Sequence, residues 1–191
     1  MRNGRTSRRI QQTAMRGFTL IELMIAVALT ALLLSMAVPA LNAFTSNARQ
    51  TSTINDFVSS MHIARSTAVT TNFRTTVCAS SNGVNCEAVS WEEGWIVFSD
   101  RDSDQTVDND ETIVAVSDGA EGLDIQSAEF GQFLMYRPNG RVMTVSAAGN
   151  SGQFTVCDSR GSDHAKVLIV DLSGRPRLSK YQADGSAPSC G

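Results

Sequence analysis

From Leu23 to Leu41 the chain runs 19 residues without a charge, and only Thr30 and Ser35 in that run are polar. A bilayer core of about 30 Å calls for roughly 20 apolar residues at about 1.5 Å rise each. The run is just long enough to span. Before it stands a leader, MRNGRTSRRIQQTAMRG, with five arginines (Arg2, Arg5, Arg8, Arg9 and Arg16) and no acid. Arginines on the N-terminal side predict that this end stays in the cytoplasm and that the rest is exported. An ordinary secretory signal carries its small-x-small cleavage site after the apolar run. The AVPA stretch from Ala37 to Ala40 is a weak imitation of such a site, and a cut there leaves Gly17 and Glu22 unexplained.

Between leader and run, Gly17 to Leu23 read GFTLIEL. Glu22 puts a carboxylate at membrane depth, where a lone charge costs on the order of 3 kcal/mol or more. Either it finds a partner or it lies near the headgroups and snorkels. A carboxylate near a helix N-terminus is also mildly favoured by the helix dipole. GFTLIEL followed by an apolar helix resembles the class III signal of type IV pilins and type II secretion pseudopilins. The resemblance implies that prepilin peptidase cuts after Gly17 on the cytoplasmic face and N-methylates Phe18. Glu22 becomes the fifth residue of the mature chain. The free amine of Phe18 in one subunit can then meet Glu22 of a neighbour staggered along a filament, which makes Glu22 an assembly device.

Length suits one domain plus an anchor. Loss of the leader removes five basic residues and no acid, so the net charge moves from −3 to −8. An acidic exported domain does not read as a general nucleic-acid binder. The charge is unevenly spread. Glu87 to Glu129 hold thirteen acids and one base, Arg101, whereas Arg160 to Lys180 hold five bases and two acids. Four cysteines suit an oxidising compartment and allow three pairings. The favoured pairing is Cys78–Cys86, closing a small loop, with Cys157–Cys190, pinning the chain end to a sheet. No C-x-x-C is present and His62 and His164 stand alone, so zinc is not indicated.

Beyond the leader (1–17), Phe18 to about Thr71 reads as one helix, roughly 80 Å long at about 1.5 Å per residue. Pro39 should kink it or loosen a turn. Residues 18–43 form the transmembrane and assembly half, and 44–71 an amphipathic periplasmic half. In the latter, Phe44, Ile54, Phe57, Val58, Met61, Ala64 and Ala68 follow three- and four-residue spacing, with Asn55, Asp56, Ser59 and Ser60 between them. That stripe should lie against a sheet. Residues 72–191 form a β-rich head. Its candidate strands are Phe73–Ala79, Gly94–Ser99, Thr112–Val116, Leu123–Ser127, Gln132–Arg137, Arg141–Val145, Gln153–Cys157 and Lys166–Leu172. Pro138-Asn139-Gly140 is a hairpin turn. The fold class is α+β, a long N-terminal transmembrane helix packed on an antiparallel sheet domain in the manner of a pilin. IARSTAV (63–69), WEEGWIVFSD (91–100), YRPNGR (136–141) and LSGRPR (172–177), in that order, are similar to the GspH/FimT branch of minor pseudopilins.

Two segments are candidate binding sites. In the run from Asp100 to Glu111, oxygen-bearing side chains fall at positions 1, 3, 5, 7, 9 and 12, the spacing of an EF-hand loop. Asp100, Asp102, Asp104, Asp108 and Glu111 would be the calcium ligands. Against this, Gln105 stands where the loop normally turns on glycine, strands rather than helices flank it, and an Asp-rich solvated hairpin tip is common. No other cofactor is expected. The second segment is Gly174-Arg175-Pro176-Arg177, with Lys180, Lys166 and Arg160 nearby. Two arginines either side of a proline, on an edge or turn, can each offer a bidentate donor to phosphate. The resemblance to FimT-type minor pilins, in which a C-terminal Gly-Arg-x-Arg is associated with DNA binding in transformation, implies Arg175 and Arg177 as phosphate contacts. The alternative is a solvated basic strand end that balances the acidic hairpin. Tyr181 alone is a weak stacking platform.

No nucleophile, base and orienter occur together and no phosphate loop is present, so the chain reads as a substrate of prepilin peptidase and not as an enzyme. The expected function is a minor pilin or pseudopilin that assembles into or primes a type IV pilus or type II secretion pseudopilus. The alternative is a pilus-tip receptor for double-stranded DNA. Its partners would be other major and minor pilins or pseudopilins, prepilin peptidase and the bacterial inner membrane, crossed once with the C-terminal domain periplasmic.

Overall fold

The structure is a computed structural model that describes residues 17–144 and 149–191. The leader before Gly17, and Val145 at the end of one expected strand, lie outside the described residues. A helix, α1 (Leu20–Thr71), opens the fold and runs unbroken through Pro39. It begins two residues later than expected because Thr19 serves as its cap. The Thr19 hydroxyl accepts the Glu22 N–H at 3.3 Å, and its carbonyl accepts that of Leu23 at 3.2 Å. Asn72, in the left-handed conformation with φ 61°, ends the helix.

The chain divides into two units between Ala43 and Phe44. In the first, every described side chain is exposed. The two polar residues of the apolar run turn back on their own helix. The Thr30 hydroxyl donates to the Ala26 and Val27 carbonyls at 3.0 and 2.9 Å, and that of Ser35 to Leu32 at 2.7 Å. Neither presents an unpaired hydroxyl to an apolar medium.

The described residues of the second unit form nine strands: β1 (Arg74–Ala79), β2 (Trp95–Asp100), β3 (Ile113–Ser117), β4 (Leu123–Gln126), β5 (Phe133–Tyr136), β6 (Val142–Met143), β7 (Gly152–Asp158), β8 (Lys166–Val170) and β9 (Pro176–Ser179). All pairings are antiparallel, and the strands make two sheets in the orders β3-β2-β1-β5-β6 and β4-β7-β8-β9. The fold is therefore α+β as expected, with the single expected sheet replaced by two. The turn at Pro138-Asn139-Gly140 closes the β5–β6 hairpin, with the Gly140 N–H on the Arg137 carbonyl at 2.8 Å.

Alternation along the strands decides what faces the helix. Val77, Ala79, Trp95, Val97, Leu134 and Tyr136 of the first sheet and Phe154, Val156, Leu168 and Val170 of the second bury against Ile54, Phe57, Met61, Ala64 and Ala68 of α1. Phe57 is the centre, its ring 4.8–5.2 Å from those of Trp91, Trp95 and Phe154. Several helix positions depart from the expected stripe. Phe44 is exposed, Val58 is half-buried, and Gln50 is buried in its place, donating its amide to the Val156 and His164 carbonyls at 3.1 and 3.2 Å. Ser60, expected among the solvated positions, is buried and takes the Trp95 indole N–H at 2.9 Å. On the far face of the first sheet a smaller cluster forms from Cys78, Ile96 and Phe98, covered by Cys86, Val107 and Ile113.

Candidate functional site

Glu22 lies in the first turn of α1, where the dipole favours its charge, and it is exposed together with Phe18 and Gly17. The apolar half of the helix is long and apolar enough to cross a membrane, and none of its most apolar window is buried among the described residues. Large apolar side chains such as Leu29, Leu33 and Leu41 are more than half exposed. A surface of this kind needs lipid or other apolar helices around it.

Three of the sequence motifs meet at one place in the second unit. Arg65 of IARSTAV donates its Nε–H to the Gly140 carbonyl at 3.1 Å. The Tyr136 hydroxyl of YRPNGR donates to the Gly174 carbonyl of LSGRPR at 3.1 Å. Burial raises the Tyr136 phenol far above its ordinary pKa. Gly174 has φ 71°, and a Cβ there would fall on the Gly140 carbonyl oxygen. The glycine of the Gly-Arg pair is thus required by backbone contact, and Arg175 and Arg177 follow from a fixed point.

Arg177 is exposed on edge strand β9, opposite Ile169, and Arg175 is exposed just before it. The Asp171 carboxyl is held below the usual carboxylate range first by the Ser173 hydroxyl, with smaller help from the Arg175 amide and the Arg177 charge. Lys166 and Lys180 lie elsewhere, lining an open cleft of about 540 Å³ with His164, Tyr181 and Asn47. Of the four basic residues expected together, Lys166 and Lys180 line this cleft and Arg175 and Arg177 are not among its lining residues. Nor is Arg160. Its guanidinium grips Asp158 through both carboxylate oxygens and donates to Asn47 at 2.9 Å.

The chain end folds back over the outer face of the second sheet. Gln153 receives the Ala183 N–H on its side-chain oxygen at 2.8 Å and donates to Gln182 at 3.0 Å. The disulfide Cys157–Cys190 fixes the tail, and the Cys190 N–H reaches the Ser162 hydroxyl at 3.1 Å. The second disulfide is Cys78–Cys86.

The acidic loop follows β2. Asp100 is fully buried, and its Oδ2 accepts the Thr76 hydroxyl at 2.7 Å while Oδ1 has no partner. Burial pushes its pKa up, against the pull of the Thr76 hydroxyl and, more weakly, of the nearby Ser103 and Gln105 amides, neither of which closes a hydrogen bond to Oδ1. Carboxylate oxygens of Asp100, Asp102 and Asp104 lie within 4.8 Å of one another. Glu111 accepts the Arg101 N–H at 2.7 Å and the Asp108 N–H at 3.2 Å. Its own pKa is raised by burial and by the charges of Asp100 and Asp102. Asp108 stands outside the trio. Gln105 takes φ 68° and Ser103 φ 72°, so the backbone makes the left-handed turn there without glycine.

The family model described as Type II transport protein GspH matches residues 53–174, and that of the prokaryotic N-terminal methylation motif matches residues 13–38. No curated protein matches the chain at a significant level. Among solved structures it is similar to the type IV minor pilin FimU of Pseudomonas aeruginosa, at 22% identity and TM-score 0.52, covering 78% of this chain and 99% of that one. A second crystal form of FimU gives 21% identity and TM-score 0.50, over 74% and 99% of the two chains. The minor pseudopilin EpsH of the Vibrio cholerae type 2 secretion system gives 12% identity and TM-score 0.47, over 69% and 96%. The GspH model spans more than half of the chain and the N-terminal methylation motif stands before it, so the chain belongs to the GspH family and is a minor pilin or pseudopilin.

Proposed function

We propose that the chain is cut by prepilin peptidase after Gly17, N-methylated on Phe18, held once across the inner membrane with its C-terminal domain in the periplasm, and built with other pilins or pseudopilins into a filament that it helps to prime. The observation that carries this reading is the uncovered apolar helix with one carboxylate, Glu22, in its first turn. Lipid can cover the leucines but offers no partner to the carboxylate. A neighbouring subunit's N-terminal amine offers one, and only on assembly. The processing steps are tested by the mass of the chain recovered from membranes of cells with and without prepilin peptidase. The expected product begins at methylated Phe18 and appears only with the peptidase. A leader still attached in its presence would overturn the reading.

A second reading adds duplex DNA as a ligand of the head. It rests on the exposure of Arg175 and Arg177 on and beside the free edge of β9. The whole chain in detergent should then bind duplex DNA at low salt, and Arg175→Ala/Arg177→Ala should lower the slope of log K against log salt by about 2. Binding that survives unchanged in the double variant rejects these arginines as the contacts.

A further inference from the structure

We propose that the loop from Asp100 to Glu111, between β2 and β3, is a calcium site in which Asp100, Asp102 and Asp104 supply side-chain oxygens and Glu111 adds a fourth negative charge. Acidic clusters on hairpins are ordinary, and the clustering of the three aspartates alone would carry nothing. The distinguishing observation is Asp100. It is wholly buried at the end of β2, one oxygen is fixed by Thr76, and the other makes no hydrogen bond. Asp102 and Asp104 bring oxygens to within 4.8 Å of this carboxylate, so the buried group is turned toward the loop. An orphaned buried oxygen carries a desolvation cost that a bound cation would remove.

Among the described residues no side chain forms an ion pair with Asp100. Arg101, the nearest base in sequence, places its guanidinium 5.1 Å from the centre of the Phe73 ring. Among the described residues the ion pair is Arg160–Asp158, on the other sheet. The donors are all oxygen, with no histidine or cysteine in the cluster, which suits a hard cation and disfavours zinc or copper. A loop offering several carboxylates suits calcium over magnesium, which demands a tight octahedron and keeps its waters.

The loop backbone meets the remaining requirement. The sixth position of a calcium loop turns through a conformation that normally needs glycine. Gln105 holds that position and adopts φ 68°. The loop is also fastened at both sides of the turn. Val107 packs onto Cys78, Ile96 and Phe98, and Glu111 holds the Arg101 and Asp108 amides. The backbone therefore takes the left-handed turn that a calcium loop needs at its sixth position.

The test is calorimetric titration of calcium chloride into the whole chain, stripped with chelator and held in detergent, with magnesium chloride as a second arm. One saturable site is expected, with Kd of roughly 10⁻⁵–10⁻³ M and at least about tenfold weaker binding of magnesium. Asp102→Asn and Asp104→Asn alter exposed side chains, so both variants keep the fold, checked by circular dichroism. Each should weaken calcium binding by at least about tenfold. Asp100→Asn should abolish it. No saturable heat with the unaltered chain, or unaltered affinity in Asp102→Asn and Asp104→Asn, overturns the proposal.

Discussion

At the scale of single residues, the head is held by contacts that join distant parts of the chain through backbone atoms. Gly174 is the clearest case. Its positive φ and its approach to the Gly140 carbonyl leave no place for a side chain. Gly174→Ala should cost about 2 kcal/mol or more, which for a unit of this size lowers the melting temperature by roughly 5 °C. Thermal unfolding followed by tryptophan fluorescence measures it, since Trp91 and Trp95 are both buried. Asp158 gives a pH dependence with a definite sign. The Arg160 guanidinium is the main reason its pKa is depressed. The stability it contributes is present above the unfolded carboxylate range and is lost as pH falls through the lower folded value. Arg160→Ala should therefore lower the melting temperature at neutral pH, and the gap from the unaltered protein should close by about pH 2. These residue contacts were the least legible part of the sequence. Ser60 reads as solvated and Gln50 falls outside the apolar stripe because their partners, the Trp95 indole and the Val156 and His164 carbonyls, are set by folding and not by local pattern.

At the scale of elements, periodicity revealed what is locally encoded. The helix and eight strands lie close to where spacing and turn chemistry put them, because each has a long apolar pattern or a strong turn beside it. Strand β9 was not expected as a strand. Pro176 lacks an N–H and the run around it is rich in Gly, Ser and Arg, yet proline is tolerated as the first residue of an edge strand. The division into two sheets was equally hidden, since the pairs β1–β5 and β4–β7 join strands far apart in sequence. The acidic loop was legible in its spacing, but not in the burial of Asp100 or the turn at Gln105. The C-terminal tail has no secondary structure of its own beyond β9 and depends on Cys190. Cys157→Ser/Cys190→Ser should free residues 181–191, seen as fast hydrogen exchange at the Ala183 and Cys190 amides, with a stability loss of about 3 kcal/mol. The helix-facing core is carried most by Phe57, and Phe57→Ala should cost about 3–5 kcal/mol.

At the scale of the whole molecule, the two units have opposite relations to their surroundings. The head buries an aromatic core around α1 residues 54–68 and satisfies its own polar groups with few exceptions. In the apolar unit before it, every described side chain is exposed. This asymmetry fits a subunit whose free form is stored in lipid and whose assembled form is packed among other helices. Under the proposed function Glu22 would tell these states apart, because lipid leaves its charge unpaired and a neighbour's amine would pair it. The central claim is tested most directly by measuring how much Glu22→Ala enters filaments sheared from cells, relative to the amount held in the membrane. The account predicts normal membrane insertion with incorporation reduced at least about tenfold, the effect of losing roughly 1.4 kcal/mol or more per contact. Incorporation equal to that of the unaltered chain would contradict it.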